Sequence, residues 1–475
     1  MKREFKAHPL MIFSIIKPFL FILLIPVLRG IVQYIEYGYV TTILGQEIIV
    51  LLAILIYGVL RWRLFRLTLD ETTVIVRDGL FVERKAVIPI SGLSSVQSEQ
   101  NPLDYIFGSV TFRINTEAGS RQKTDYSFKL SRKDARLVAD LLYGHKSGEP
   151  VRFSPIKIAV LAAATSSAFT GILVGVPILN NTAKLAGVGV NEILEQLNTV
   201  SNKFQTYFPP IVNMVTLILL GSFAVSFIYS FLRYLKFRIY LDEDRVEVRS
   251  GLFVMQRTSF KKRSINNVII EQTPLMILLK RYAMKVNVGG YGEAKAESQV
   301  LVPCGKYKEI KTMFSDYFPF LTPSGNPLKS KVGFAHLNRY YFWGEIFAGI
   351  LLFSSVYFGL GFIEFVRLVV FITFILGCLI IYYMYLCYCE YKVCTARFGN
   401  TVYARGKRGL RKVRLYCPKE KIGEIKIYRY PVDPIYKTCN IKITIRSETA
   451  DSMVVRHLDY EDTKKEIFDC YGIKE

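Results

Sequence analysis

The sharpest chemical feature of this sequence is a run of positive charge near its C-terminal end, where six of the ten residues from 405 to 414 are basic. Glycines inside the run let the backbone turn sharply and expose the charges. Basic residues beside a membrane gain roughly 1 kcal/mol each from anionic lipid. The run contains Arg405, Lys407, Arg408, Arg411, Lys412 and Arg414, and a second set at the equivalent place of an earlier, similar segment contains Arg257, Lys261, Lys262 and Arg263.

Two interpretations of these ten residues stay open at the level of sequence. They are candidate contacts for anionic lipid headgroups, for a partner or for an acidic ligand. Alternatively, they are solvated strand faces that only follow the excess of positive charge on the cytoplasmic side of membrane proteins.

A second kind of candidate is a charge inside an apolar run. Lys17, Glu47, Glu345 and Arg367 all lie in or near such runs, and Lys17 is the most interior of them. A charge at the centre of a bilayer costs about 2.5–3.5 kcal/mol, so it would mark a pathway or an ion pair. Lys17 is therefore a possible intramembrane charge, with snorkelling of its long side chain as the alternative.

Catalytic and cofactor-binding patterns are missing from the sequence. The four histidines have no metal-ligand spacing, and neither a dinucleotide fingerprint nor a phosphate-binding Walker sequence is present. The acidic pairs at 70–71 and 242–243 recur at a predicted strand–turn junction and lack a second acid–base partner. We therefore predict a protein that is not an enzyme, with no catalytic residue, cofactor or metal.

Composition points to a membrane. Half of the 475 residues are hydrophobic, the formal net charge is +23, and the mean hydropathy is positive. A basic nucleic-acid-binding protein would not usually be this apolar, whereas a membrane protein with basic water-facing parts would be. The eight cysteines show no CxxC spacing, which favours reduced thiols.

An internal duplication organises the chain. Residues 65–81 read FRLTLDETTVIVRDGLF and residues 237–253 read FRIYLDEDRVEVRSGLF, so the two segments align without a gap at an offset of 172 residues. A weaker third copy places residues 402–405 on residues 74–77. A match at a fixed period of this kind indicates repeated structural units.

Each copy follows a pair of apolar runs and continues into alternating, strand-like sequence that ends in one amphipathic helix, such as the helix predicted for residues 131–143. The fold class predicted is an α+β multi-pass membrane protein with three repeats of a transmembrane helix pair followed by a β-rich domain with a C-terminal helix. The predicted boundaries are helix pairs at 1–60, 151–235 and 323–389 and β-rich domains at 61–150, 236–322 and 390–475.

Six spans would place the N-terminus and all three β-rich domains on one side of the membrane. Those three regions carry net charges of +4, +10 and +7, counted over 61–154, 233–339 and 390–475, whereas the turns between paired spans carry few charges. The positive-inside rule therefore predicts that the domains are cytoplasmic. The segment 180–208 would then be the largest outer-facing one, either as a simple hairpin cap or as a surface that meets the membrane or an external peptide.

The repeated pattern resembles bacterial pleckstrin-homology-like (PH-like) domains, and its membrane-flanked, threefold arrangement resembles the YdbT-like membrane proteins of low-GC Gram-positive bacteria. The resemblance implies a seven-stranded, partly open β-sandwich capped by a C-terminal helix. It also implies a smaller membrane partner with one helix pair and one such domain, and a role in resistance to membrane-active peptides, especially leaderless bacteriocins. The third unit lacks the acidic pair of the first two.

Three functional hypotheses follow from these observations. The first is a non-catalytic scaffold that acts with the smaller partner in envelope defence. The second is a component of a peptide or lipid transport complex, and the third is a membrane scaffold that senses anionic lipid through its basic hairpins.

Overall fold

The computed structural model of the protein describes residues 3–19, 43–80, 82–116, 126–143, 149–166, 210–252, 254–289, 298–330, 333–361, 366–446 and 452–472. The predicted outer-facing segment 180–208 lies outside the described residues, as do the ends of the first and third apolar runs. The chain forms two compact units. The first contains Met1–Val151, Arg238–Ser264 and Val288–Glu297, and the second contains Arg152–Phe237, Ile265–Asn287 and Ser298–Glu475.

Long apolar helices form where the sequence predicts them. They are α2 (Ile43–Leu64), α6 (Pro210–Tyr234), α9 (Phe334–Gly361) and α10 (Val366–Val393), together with the shorter α1 (Met11–Ile16) and α5 (Pro155–Thr165). Within the described residues, Leu337–Gly361 and Ile372–Val393 are long and apolar enough to cross a membrane. Large apolar side chains on both helices are exposed, including Phe353 and Leu360 on α9 and Ile381 on α10. Hydrocarbon is the solvent that would cover such a surface.

The first β-sheet is an antiparallel meander of four strands in the order β1-β2-β3-β4. These strands are β1 (Arg3–Lys6), β2 (Arg66–Leu69), β3 (Thr73–Asp78) and β4 (Arg84–Pro89). The turn after β3 contains Gly79 with a φ of 130°, a positive value that glycine adopts readily, and a Cβ there would lie 2.0 Å from a backbone carbonyl oxygen. β1 precedes the first apolar run in sequence, yet it pairs along its whole length with β2.

This first sheet packs on three further strands and a closing helix. The strands are β5 (Leu93–Gln100), β6 (Ser109–Thr116) and β7 (Tyr126–Ser131), with α3 (Pro102–Phe107) between β5 and β6, and the helix is α4 (Arg132–Tyr143). Leu67 and Leu69 from β2, Phe112 and Ile114 from β6, and Val138 from α4 share one buried core. Two sheet faces closed by one helix make this a PH-like sandwich.

The sheet formed by β5, β6 and β7 continues beyond β5 into strands from later in the sequence. A seven-stranded sheet runs in the order β7-β6-β5-β11-β10-β9-β8, with β8 (Val151–Arg152), β9 (Arg238–Leu241), β10 (Arg245–Ser250) and β11 (Met255–Lys261). β5 and β11 are antiparallel neighbours, with Val96 opposite Ser259. Strands that are far apart in sequence therefore form one continuous sheet.

The second unit contains an analogous seven-stranded sheet in the order β14-β13-β12-β18-β17-β16-β15, and a three-stranded sheet in the order β19-β20-β21. Its other described helices are α7 (Pro274–Leu278), α8 (Tyr307–Phe314) and α11 (Tyr460–Tyr471). The strands are β12 (Ile265–Gln272), β13 (Tyr282–Val288), β14 (Gln299–Gly305), β15 (Leu328–Lys329), β16 (Thr395–Arg397), β17 (Thr401–Arg408), β18 (Arg411–Pro418), β19 (Ile422–Tyr428), β20 (Thr438–Ile445) and β21 (Ser452–Asp459).

A second sandwich core lies in this unit. Ala404 and Leu415 from the β17–β18 hairpin pack with Ile443 and Val455 from the three-stranded sheet and with Ile467 from α11. The helix begins where Asp459 accepts hydrogen bonds from the backbone N–H groups of the first turn, which is the usual role of an N-cap aspartate. The prediction of sheet-rich PH-like domains closed by a helix is therefore confirmed for both cores.

Candidate anionic-ligand site

The basic run from 405 to 414 forms the antiparallel β17–β18 hairpin, which turns at Gly409 with a φ of 59°. The register places Arg405 directly opposite Arg414, and Lys407 directly opposite Lys412. Like charges directly opposite on neighbouring strands are destabilising unless something compensates for them. The hairpin therefore needs either acidic partners from elsewhere or a bound anion.

Arg405 has no such acidic partner in the described part of the chain. Its side chain is half-buried, and it makes no ion pair or hydrogen bond among the residues that the structure describes. Burial and the facing charge of Arg414 lower the pKa of the Arg405 guanidinium from its usual value. An anion bound between the two arginines would relieve both effects.

Arg414 lies against aromatic rings. Its guanidinium carbon is 3.8 Å from the centre of the Tyr307 ring and 5.3 Å from the centre of the Tyr282 ring. Burial acts to raise the pKa of the Tyr307 hydroxyl, but the hydrogen bond with Tyr416 and the charge of Arg414 lower it overall. Stacking fixes the guanidinium without neutralising its charge, which leaves Arg414 able to bind an anion.

A small cavity opens beside these arginines. Its volume is about 90 Å³, enough to admit a few water-sized groups. Arg405, Lys412 and Arg414 line it together with Leu386 and Val393. The last two belong to the final part of α10, so the cavity lies beside the end of a candidate membrane-crossing helix.

Lys407 and Glu390 also line this cavity, where they form an ion pair with each other. Lys407 Nζ lies 3.4 Å from Glu390 Oε2 and 2.7 Å from Cys387 Sγ, and it is 4.1 Å from the centre of the Tyr383 ring. Burial acts against its charge, but Glu390 and Cys387 raise the pKa of Lys407 overall. The lysine therefore attaches the hairpin to α10 and is not available to a ligand from water.

The other three residues of the run have separate environments. Arg411 extends toward Glu271, with Nη1 3.4 Å from Oε1, and remains 46% exposed. Lys412 lies 3.3 Å from the Tyr385 hydroxyl. Arg408 is exposed at the end of β17. Of the six basic residues, the structure thus brings Arg405, Lys407, Lys412 and Arg414 together at the cavity, and Lys407 is already paired with Glu390.

The earlier basic set lies on β11 and the turn after it, where intramolecular contacts use much of its charge. Arg257 makes two hydrogen bonds to the Glu247 carboxylate, at 2.7 Å and 3.1 Å. Lys261 donates to the carbonyl oxygens of Ile90 and Ser91, and Arg263 also donates to that of Ser91, at 2.7 Å. Lys262 follows β11 in the same turn.

Lys17 lies in the single 3-10 turn Lys17–Phe19 that follows α1, with an exposed side chain. The rest of its apolar run is outside the described residues.

Sequence reasoning did not identify the aromatic and acidic members of this region. Tyr282 and Tyr307 lie more than a hundred residues before Arg414, on β13 and α8, and Glu390 closes an apolar run. Of these three residues, only Glu390 could have been identified from the sequence, because a carboxylate at the end of an apolar helix needs a partner. Among the described residues, no group of three or more His, Cys, Asp or Glu side chains could hold a metal ion.

Comparison with known proteins agrees with the architecture. A family profile described as "Bacterial PH domain" matches residues 11–146 and 183–315. A protein of Bacillus subtilis (strain 168) described as "UPF0699 transmembrane protein YdbT" is 19% identical over 324 residues, which cover 62% of this chain and 64% of that protein. The match thus spans a little less than two thirds of the relative's length. No solved structure matches the chain.

The two profile matches together cover more than half of the chain, and they include most of the first sandwich core and its closing helix. The resemblance to YdbT-like proteins is borne out by the relative, which is a transmembrane protein by its description. The chain is therefore a membrane protein that belongs to the bacterial PH domain family.

Proposed function

We propose that this protein is a non-catalytic membrane scaffold that binds anionic lipid headgroups at the base of its last helix. The observation that carries the proposal is the Arg405–Arg414 pair, two arginines at directly opposed strand positions that line one cavity together with residues from the end of α10. A lipid phosphate can accept hydrogen bonds from both planar forks at once.

The proposed arrangement is three helix pairs, each followed by a PH-like domain, with the domains and the N-terminus in the cytoplasm. Strand pairing supports it, because β1 pairs with β2 across the first two apolar runs and β15 pairs with β16 across α9 and α10. Paired strands share a compartment, so the segment between them would cross the membrane an even number of times. The excess of basic residues in the domains favours the cytoplasmic side.

Lipid binding can be tested on the full chain in detergent by native mass spectrometry with added phosphatidylglycerol. We expect the double variant R405Q/R414Q to lose at least about tenfold in affinity, since one charge-assisted hydrogen bond contributes about 1.5–3 kcal/mol. The matched control is K442Q/R446Q, which removes the same charge from exposed positions of the same domain. Equal affinity of the two variants would reject the proposed site.

The biological role that we propose is envelope defence against membrane-active peptides, such as leaderless bacteriocins, together with a smaller membrane protein that has one helix pair and one PH-like domain. Family resemblance supports this part of the proposal. A deletion strain should become more sensitive to such peptides, and complementation with R405Q/R414Q should restore less resistance than complementation with K442Q/R446Q. Unchanged sensitivity of the deletion strain would contradict it. Movement of labelled lipid or peptide by the purified protein in vesicles would favour the transport alternative.

A further inference from the structure

The same local arrangement occurs at three places among the described residues, where a strand, a three-residue 3-10 turn and a second strand follow one another. We call each of these an elbow. The turns are Ile90–Gly92 between β4 and β5, Lys262–Ser264 between β11 and β12, and Lys419–Lys421 between β18 and β19.

Consecutive elbows are joined by strand pairing. The strand after the first turn, β5, pairs with the strand before the second turn, β11. In the same way β12, after the second turn, pairs with β18, before the third. Each junction makes two sheets continuous and leaves no open edge between them.

The two junctions have the same register. In the first, Phe260 is the second residue before its turn and lies opposite Ser95, the third residue after the preceding turn. In the second, Tyr416 is the third residue before its turn and lies opposite Val268, the fourth residue after the preceding turn. One rule describes both: a residue n positions before a turn pairs with the residue n+1 positions after the preceding turn.

Two strands lack this pairing. In the part of the chain that the structure describes, β4 has β3 as its only neighbour, and β19 has only β20. β4 is the strand before the first turn, and β19 is the strand after the last one. β4 therefore lacks a neighbour of the β5 type, which is a strand that follows a turn. β19 lacks a neighbour of the β11 type, which is a strand that precedes a turn.

Exposure at these edges differs from that at the closed junctions. Val87, the third residue before its turn, is 57% exposed, whereas Ser259 and Tyr416 at the same position are 6% and 1% exposed. Glu424, the third residue after its turn, is exposed, whereas Ser95 and Asn267 at that position are 1% and 0% exposed. Unpaired N–H and C=O groups on such an edge are a template for another strand.

We propose that β4 of one copy of this chain pairs with β19 of a second copy, antiparallel and in the register of the two existing junctions. A second copy fits both open edges. β4 needs a strand that follows a turn, and β19 is such a strand; β19 needs a strand that precedes a turn, and β4 is such a strand. The contact uses two different surfaces, so it is heterologous and links copies head to tail into a ring or a row.

The register specifies the residues that meet. Val87 lies opposite Ile425, so an exposed valine covers a half-exposed isoleucine. Arg84 lies opposite Tyr428, and Glu83 lies opposite Arg429. Glu83 and Arg429 are both exposed and of opposite charge, which is the complementarity that a cross-strand pair needs.

The test is cross-linking between two differently tagged full-length copies in one membrane, one carrying V87C and the other I425C. Directly opposed residues in an antiparallel pair have Cα atoms about 4.5–5.5 Å apart, which is within the range that a disulfide bridges. We expect an oxidised product with both tags. Copies with a single substitution report any background from the native cysteines, and K442C in place of I425C is the control on the neighbouring strand.

A product with both tags that needs V87C and I425C together supports the proposal. No such product, or the same yield with K442C, overturns it, as does a V87C product with a different protein. A charge exchange gives a second measurement if the cysteine variants fold poorly: E83R should lower the fraction of oligomer severalfold on light scattering, and E83R/R429E should restore it. Failure of that rescue also counts against the pairing. Neither experiment depends on Arg405 or Arg414, so it separates this proposal from lipid binding.

Discussion

The buried ion pair between Lys407 and Glu390 holds the basic hairpin against α10. Removing one partner measures how much the free energy of unfolding depends on this contact. The two side chains are 7% and 1% exposed. The substitution K407M removes the positive charge, keeps most of the apolar side chain, and leaves the buried Glu390 carboxylate without its ion-pair partner, with only the more distant charge of Arg456 remaining. Breaking a buried pair in this way costs about 3–5 kcal/mol, so we expect a loss of that size in the free energy of unfolding.

A double-mutant cycle separates this penalty from the net contribution of the pair. The second variant, K407M/E390L, replaces both charges with apolar groups of similar volume. Such replacements are often neutral or stabilising, so we expect the double variant to regain most of the loss, with a coupling of at least about 3 kcal/mol between the two positions.

The assay is denaturant unfolding of the full-length protein in detergent micelles, followed by circular dichroism. The control is K442M, because Lys442 is an exposed lysine on β20 of the same domain and a surface substitution stays within about 0.5 kcal/mol. The reasoning is refuted if K407M behaves like K442M, or if the double variant loses as much as the two single variants combined.

Three further predictions concern stability. Asp104 is buried, with Oδ1 2.5 Å from Lys129 Nζ; burial acts to raise its pKa, but the bonds to Lys129 and Ser109 lower it overall. The stability that the Asp104 carboxylate contributes is therefore fully present above its unfolded-state pKa of about 3.9, and it is lost as the pH falls through the lower folded-state pKa. D104N should lower the free energy of unfolding by about 1–3 kcal/mol and flatten the acid limb of the stability–pH curve. G79A should cost at least about 1–3 kcal/mol in thermal unfolding, because its Cβ would lie 2.0 Å from a carbonyl oxygen, whereas G221A, with open space around it, should have little effect or stabilise. D459A should cost about 1 kcal/mol by loss of the N-cap of α11, and an unchanged melting curve would contradict the capping role.

The sequence predicts the elements whose cause is local. Alternating apolar residues in 110–116 indicate a strand, and the structure has Ser109–Thr116 there. The amphipathic pattern of 131–143 indicates a helix, and α4 spans Arg132–Tyr143. β1 and β15 were not predicted, because strands of four and two residues carry almost no periodic signal and form only through distant partners. The pairing of β5 with β11 and of β12 with β18 is not predictable either, because each pair joins strands that are far apart in sequence.

The sequence predicts where the candidate site lies but not which of its basic residues are paired. A run of six basic residues marks the hairpin, but spacing alone does not tell Arg405, which has no acidic partner among the described residues, from Lys407, which has Glu390. That distinction depends on which side chains α10 and α8 bring to the hairpin. It is a property of packing between elements, which a single sequence does not record.

The pairing of β1 with β2 has a consequence for how the protein is made. β1 ends at Lys6 and β2 begins at Arg66, so the ribosome must add 59 residues before the partner strand starts to emerge. At roughly 5–20 residues per second, about 3–12 s pass between the synthesis of β1 and that of its partner strand. During that time Phe5, which is later buried, has nothing to pack against. The first domain can therefore close only after the whole segment between β1 and β2 has been synthesised, so its N-terminal strand is made first and cannot find its partner until then.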